Sequence, residues 1–144
     1  MTGSLKKGQV LAFLAVILPL VLLPVAAYAV DAATVASRSA SLQAATAQAA
    51  EAAAQQLNVG AMRSGGVLAL DPAGVALVAA GTINQEEPGA LVDSTAVNGV
   101  EVVVVTHEPV TLPFSVFVLT TTLHSRATAR LAAGFEGPGS SPHP

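Results

Sequence analysis

The sequence predicts an α+β protein in which one long amino-terminal helix packs against a small antiparallel β-sheet. Two observations predict this class. An apolar run without charge continues into an Ala-rich stretch without Gly or Pro, and both compositions are typical of helices. The second half of the chain instead has short β-branched runs separated by turn residues, which is typical of strands.

The overall composition limits the class of protein. The 144 residues are 52% hydrophobic but only 10% charged and 3% aromatic, and the net charge is −3. Soluble domains carry about 25% charged residues, so this chain is unusually apolar. It has no basic patch that would neutralise phosphates, and we expect no nucleic-acid partner. It has no Cys, which excludes disulfides and thiolate metal sites.

The first element, residues 10–30, is expected to be a transmembrane helix. No charged residue interrupts it, and about 20 apolar residues span a hydrocarbon core of roughly 30 Å. Lys6 and Lys7 precede the run, so residues 1–9 are expected in the cytoplasm and the carboxy-terminal domain on the extracytoplasmic side of the cell membrane. Pro19 and Pro24 are expected to bend the helix. The side chains expected to anchor the chain in membrane lipid are Val10, Leu11, Phe13, Leu14, Ile17, Leu18, Pro19, Leu20, Leu22, Leu23 and Pro24.

The same run also allows a second interpretation. Ala27-Tyr28-Ala29 fits the small-x-small pattern of a signal-peptidase site, and cleavage after Ala29 would release a small secreted binding module. A signal peptide usually has an apolar core of about 7–15 residues. The run here is longer, which favours a retained single-pass anchor.

The second element, residues 31–58, is expected to continue the helix outside the membrane. It is rich in Ala, which has the highest helix propensity, and Asn58-Val59-Gly60 is expected to end it. A continuous helix over residues 9–57 would be about 75 Å long. A packing stripe of mostly small side chains recurs along one face, at Val35, Leu42, Ala45 and Ala49, with Thr46 as its polar member. The stripe suits packing on the chain's own sheet or against other subunits, and both uses remain open.

Residues 59–134 are expected to form a small α+β domain. A strand at 67–70 and a short helix at 73–80 come first, with Asp71 and Pro72 starting the helix and Gly81 ending it. Strands at 90–97 and 100–106 follow, and Asn98-Gly99 between them is the strongest turn signal. Most of the core is expected to come from Phe114, Phe117 and the Val run of the strand at 100–106.

The end of the domain is expected to contain an irregular segment and a last strand. Pro109 and Pro113 break the pattern, and residues 114–119 form either a short helix or a covering loop. The strand at 120–131 is expected to alternate. Thr121, Leu123, Ser125, Ala127 and Ala129 share one face, and His124, Arg126, Thr128 and Arg130 share the other, solvated face. Residues 135–144 are expected to be a disordered Gly/Ser/Pro tail.

Candidate catalytic and metal-binding residues are few. His107-Glu108 begins like the H-E-x-x-H zinc motif, but Thr111 occupies the position of the second His. Asp93, His107 and Ser115 include the residue types of a hydrolase triad without a nucleophile elbow. Glu86-Glu87 is expected to be a solvated loop. We therefore expect no enzyme, no metal, no cofactor and no small-molecule substrate.

The amino-terminal half carries several residues at a characteristic spacing. Gly8-Gln9 precedes the apolar run, Pro19 lies inside it, Asp31 follows it, and Leu42-Gln43 begins the Ala-rich stretch. This pattern resembles the TadE/TadG-like family, which are pilin-like proteins of tight-adherence (Tad, Flp) pilus systems. The Thr-rich last strand, ending in Ala127-Thr128-Ala129-Arg130, is also similar to that family.

The resemblance implies a pilin-like fold and a structural or assembly role in a Tad pilus or related secretion apparatus. Its partners would be other pilin-like or Tad secretion subunits. Pilins cut by a prepilin peptidase usually carry Glu five positions after the cleaved Gly, and Phe13 stands there when the count starts at Gly8. The resemblance therefore favours TadG-like members, in which this Glu is often absent. A membrane-anchored extracytoplasmic domain without a pilus role is the remaining alternative.

Overall fold

The computed structural model describes residues 3–66, 68–114 and 119–131, including the side chains of all these residues except 3–7 and 9. A long amino-terminal helix packs against a small three-stranded antiparallel sheet, so the α+β class is confirmed. The described elements are α1 (Gly3–Ala53), α2 (Val59–Gly65), α3 (Pro72–Glu86), β1 (Leu91–Asn98), β2 (Glu101–Thr111) and β3 (Thr120–Arg130).

Helix α1 is 51 residues long and continues through both Pro19 and Pro24. It ends at Ala53, four residues before the predicted end at Leu57. The reason is a tertiary interaction, because Leu57 forms an isolated antiparallel bridge with Leu70. The Asn58 N–H also donates to the Ala69 carbonyl at 2.9 Å. Pairing with a distant segment therefore overrides the high helix propensity of this stretch.

The segment after α1 differs from the sequence prediction. Asn58 does not end a helix but starts α2, since its side chain accepts a hydrogen bond from the Ala61 N–H at 3.0 Å. Gly66 ends α2 with φ 65°, and its N–H donates to the Met62 carbonyl. The strand predicted at 67–70 is reduced to the bridge at Leu70, while residue 67 lies outside the described residues.

The predicted start of the next helix is confirmed and its predicted end is wrong. Asp71 caps α3 by accepting from the Ala73 N–H at 3.3 Å, and Pro72 occupies the first turn. Gly81 does not end the helix, which continues to Glu86. The buried stripe of Val75, Ala79 and Ile83 extends past Gly81, so core packing outweighs the cost of a glycine in the helix.

The sheet has the strand order β1-β2-β3. The β1–β2 hairpin closes at the pair Asn98↔Glu101, so its turn lies one residue later than Asn98-Gly99 predicted. Gly99 has φ 66°, the left-handed conformation that favours glycine. The register shifts between Val92 and Ser94, which leaves Asp93 as an extra residue in β1.

Strand β2 continues through Pro109, which was predicted to break it. The pairing of β1 with β2 stops at Leu91↔His107, so Pro109 lies beyond it and no β1 hydrogen bond is lost. The last strand and its predicted alternation are confirmed. Along β3 the side chains from Thr121 to Ala129 at every second position are less exposed than those between them.

The chain divides into two compact units, one comprising residues 1–40 and 109–122 and the other comprising residues 41–108 and 123–144. The second unit contains the buried core, formed by the end of α1, by α3 and by the sheet. Val102 and Val104 are fully buried there, as predicted. Phe114 was expected in the core but is 57% exposed. The predictions for residues 115–118, including Phe117, and for the tail at 135–144 concern residues outside the described ones.

Candidate functional site

The predicted anchor residues lie on α1 with their side chains outside any core. Among the large ones, the exposed fraction ranges from 37% for Ile17 to 70% for Leu20, and Pro19 and Pro24 are also exposed. None of the most apolar part of α1 is buried within the described structure. By length and composition α1 is therefore compatible with a single membrane span.

The residues that carry the family resemblance occupy different environments. Gly8 is exposed and would have open space around an added Cβ, while the side chain of Gln9 lies outside the described part. Gln43 is exposed and Leu42 is buried. Asp31 is only 6% exposed, although it follows the apolar run directly.

Asp31 has a structural partner that sequence reasoning missed. Its Oδ1 accepts a hydrogen bond from the backbone N–H of Phe114 at 3.1 Å. The two residues are 83 positions apart, and both belong to the unit formed by residues 1–40 and 109–122. A hydrogen bond from a backbone amide to a distant side chain has no sequence pattern, so this contact could not be predicted from the sequence.

The packing stripe lies on the part of α1 that enters the core. Leu42 is 1% exposed and Ala49 is fully buried, and together with Ala45 they pack against Ile83 of α3 and Ala90. Val35, in the other unit, is half-buried. Of the two uses left open by the sequence, Leu42, Ala45 and Ala49 serve packing within their own domain.

A buried polar pair joins α1 to the central strand of the sheet. The hydroxyls of Thr46 and Thr106 are 2.7 Å apart, and both side chains are fully buried. Thr46 donates its single hydroxyl proton to the Leu42 carbonyl at 2.6 Å. Thr106 must therefore donate to Thr46. The pair fixes the position of the helix along β2, because sliding either element would leave a buried hydroxyl unpaired.

A second polar contact joins the same helix to the end of α3. The Ser41 hydroxyl donates to Oε2 of Glu87 at 2.5 Å. Glu87 was expected in a solvated loop with Glu86, but it is only 7% exposed, and Glu86 alone is exposed. The prediction failed because Glu87 follows the last turn of α3, where its backbone N–H donates to Ile83 and its side chain turns inward.

The exposed face of the sheet carries the titratable cluster of Asp93, His107 and His124. Nδ1 of His107 lies 2.5 Å from Oδ1 of Asp93, and Nδ1 of His124 lies 4.0 Å from Oδ2. The two imidazole rings have centroids 6.0 Å apart. The extra residue in β1 turns Asp93 toward both rings.

This cluster contains residue types that were considered for a metal site and for a catalytic triad. Among the described residues, no group of three His, Cys, Asp or Glu side chains is arranged to hold a metal ion. Ser115, the nucleophile considered in the sequence, lies outside the described residues. The contact between Asp93 and His107 is a solvent-facing hydrogen bond that links β1 to β2 at the register shift.

The chain was compared with protein-family models, with curated proteins and with solved structures, and none of the three comparisons found a match.

Proposed function

We propose that this protein is a membrane-anchored, pilin-like structural or assembly component of a Tad-type pilus or a related secretion apparatus. The observation that carries the proposal is the division of α1 into two chemically different parts. The apolar amino-terminal part is exposed, while the Ala-rich carboxy-terminal part is buried against a small antiparallel sheet. This arrangement suits a subunit that is held in lipid by one end of a helix and presents a folded domain at the other end.

Contacts with other subunits would use surfaces that are not buried in the core of this chain. Leu42, Ala45 and Ala49 are occupied inside the domain, so they are not the assembly surface. Two exposed faces remain on α1. One is the apolar segment itself, and the other is the outward side of the Ala-rich part, where Ala44 and Ala47 are exposed. Small side chains allow the close approach of a neighbouring helix.

Phe13 changes the kind of contact that this subunit would make in the membrane. A Glu within the hydrocarbon region is costly and normally requires a partner. Phe13 is 66% exposed on α1 and offers no charge. The proposed subunit would therefore pack by apolar contact with neighbouring helices instead of pairing with an amino terminus.

The first test determines which form of the protein exists in the cell. The mature chain is extracted from isolated membranes and its amino terminus is sequenced. A start at Met1 supports an unprocessed anchor, and a start at Gln9 supports processing of the prepilin type. A start at Val30, with the protein recovered in a soluble fraction, contradicts the anchored subunit and favours the secreted module.

The second test examines assembly directly in the cell that encodes the chain. The gene is deleted, and surface pili are counted with and without the wild-type copy. A photo-crosslinking residue at Leu22 or Ala47 is expected to capture pilin-like subunits, and one at Leu77, an exposed residue of α3, serves as the matched control. Normal piliation in the deletion strain, or equal capture at all three positions, contradicts the proposal.

A further inference from the structure

Two large apolar side chains, Phe114 and Leu119, are exposed on either side of the connection between β2 and β3. Residues 109–123 contain no charged side chain. At the two sides of this connection, Phe114 is 57% exposed and Leu119 is 73% exposed. The Leu112 N–H donates to the Leu119 carbonyl at 3.1 Å, which brings the two sides together. Phe114 and Leu119 are together called the β2–β3 tip.

This tip lies at the end of the charge-free run of α1. An apolar cleft separates Phe114 from the helix, and its walls are formed by Leu23, Pro24, Ala26, Ala27, Val30 and Phe114. The helical part of the cleft covers the last two turns of the run, about 10 Å along the helix axis. The exposed apolar surface of α1 therefore continues onto the tip without an intervening charge.

Asp31 fixes the position of the tip along the helix. Its buried carboxylate accepts the hydrogen bond from the Phe114 N–H at 3.1 Å. Asp31 is the first charged residue after the run, so it marks the level at which the chain leaves a hydrocarbon layer. Phe114 is thus held at the level where aromatic side chains sit in membrane proteins.

We propose that the β2–β3 tip is a second membrane contact, in which Phe114 and Leu119 rest in the boundary between headgroups and acyl chains. This inference rests on the proposed anchor, since only a spanning α1 brings the tip to a bilayer surface. The occupant is phospholipid and not a protein, because the exposed apolar surface of the tip is continuous with the surface that lipid would cover on α1.

The test uses the full chain in vesicles of phosphatidylcholine and phosphatidylglycerol. Because the sequence has no Cys, single variants accept one environment-sensitive fluorophore each. Phe114→Cys reports on the tip, Val21→Cys on the centre of the anchor, and Leu77→Cys on an exposed side chain of α3. All three native side chains are more than half exposed, so the label does not disturb the core.

Lipids carrying a doxyl quencher near the headgroup are expected to quench the probe at position 114 about twofold more strongly than the probe at position 77. Quenchers near the acyl-chain ends are expected to act on the probe at position 21. Quenching at 21 without quenching at 114 overturns the second contact and leaves the anchor intact. Absence of quenching at both positions overturns the anchor and, with it, this inference.

Two further outcomes are informative. A probe at 114 that is shielded from lipid quenchers and from aqueous iodide shows that protein fills the cleft, which also overturns the inference.

Asp31→Ala is expected to weaken quenching at 114, whereas Asp31→Asn keeps an acceptor oxygen for the Phe114 N–H and is expected to preserve the quenching. Equal quenching in the two Asp31 variants contradicts the role of this carboxylate in positioning the tip.

Discussion

At the scale of single residues, the Thr46–Thr106 contact matters because it lies inside a mostly apolar core. The Thr46–Thr106 pair has no solvent to replace a lost partner, since both side chains are fully buried. The direction of the hydrogen bonds makes the two threonines unequal. The Thr46 hydroxyl donates to the Leu42 carbonyl and accepts from Thr106, whereas the Thr106 hydroxyl donates to Thr46.

This inequality predicts different costs for two similar substitutions. Thr46→Val removes the acceptor for the Thr106 hydroxyl and leaves a buried donor unsatisfied, which lowers the free energy of unfolding by about 1–3 kcal/mol. Thr106→Val costs less, because Thr46 keeps its bond to the Leu42 carbonyl. Equilibrium unfolding of the detergent-solubilised full chain measures both values.

The double variant provides the control for this pair. Replacing both hydroxyls by methyl groups of similar shape leaves no unpaired donor, so the double substitution is expected to cost less than the sum of the two single ones. Equal costs for the two single variants would contradict the assigned direction of the hydrogen bonds.

At the scale of elements, α1 has two faces in its Ala-rich part that the composition alone does not distinguish. Ala49 is fully buried, whereas Ala47, two residues earlier, is exposed. Both are Ala in an Ala-rich run, but Ala49 belongs to the predicted packing stripe and Ala47 does not. The spacing does not predict which element packs against the stripe, because that depends on how α3 and the sheet fold onto the helix.

The two alanines give a matched test of that packing. Ala49→Leu inserts extra volume into a closed core and is expected to lower the free energy of unfolding by about 1–3 kcal/mol. Ala47→Leu adds the same atoms on the exposed face and is expected to change it by less than about 0.5 kcal/mol. Chemical denaturation of the full chain measures the free energy of unfolding of both variants. Similar values for the two would contradict the burial of Ala49 and the exposure of Ala47.

Gly81 of α3 and Gly99 of the β1–β2 turn are expected to respond to the same substitution with opposite signs. Gly81 lies inside a helix with open space where a Cβ would be, so Gly81→Ala is expected to stabilise the chain by about 0.5–1 kcal/mol. Gly99 has φ 66°, and Gly99→Ala is expected to cost roughly 1–2 kcal/mol. Midpoints of denaturation show the signs directly, and a destabilised Gly81→Ala variant would argue against a helix that continues to Glu86.

At the scale of the whole molecule, the sequence predicts what depends on neighbouring residues and fails where distant contacts decide. The long helix, the start of α3 at Asp71 and the alternation of β3 follow from propensity, capping and period. The end of α1, the burial of Glu87 and the continuation of α3 past Gly81 depend on long-range pairing and core packing. The sequence identifies Asp31 as the residue that ends the apolar run. Its hydrogen bond to Phe114 could not be predicted, because the two residues are 83 positions apart.

The proposed membrane anchor depends on the absence of charge from residues 10–30 of α1. Leu20→Arg places a charge near the centre of the apolar run and is expected to disfavour insertion by about 2.5–3.5 kcal/mol, or roughly a hundredfold in partition. Leu77→Arg changes a similarly exposed leucine on α3 and is expected to leave membrane association unchanged. The fraction resistant to carbonate extraction measures both, and equal behaviour of the two variants contradicts a spanning helix.

The hydrogen bond between Asp31 and Phe114 also implies an order of events during synthesis. The amino-terminal helix is made first, and the amide that Asp31 binds follows 83 residues later. At about 5–20 residues per second, that delay is roughly 4–17 s. A ribosome-bound chain therefore carries this carboxylate with water as its partner until the segment that contains Phe114 has been synthesised.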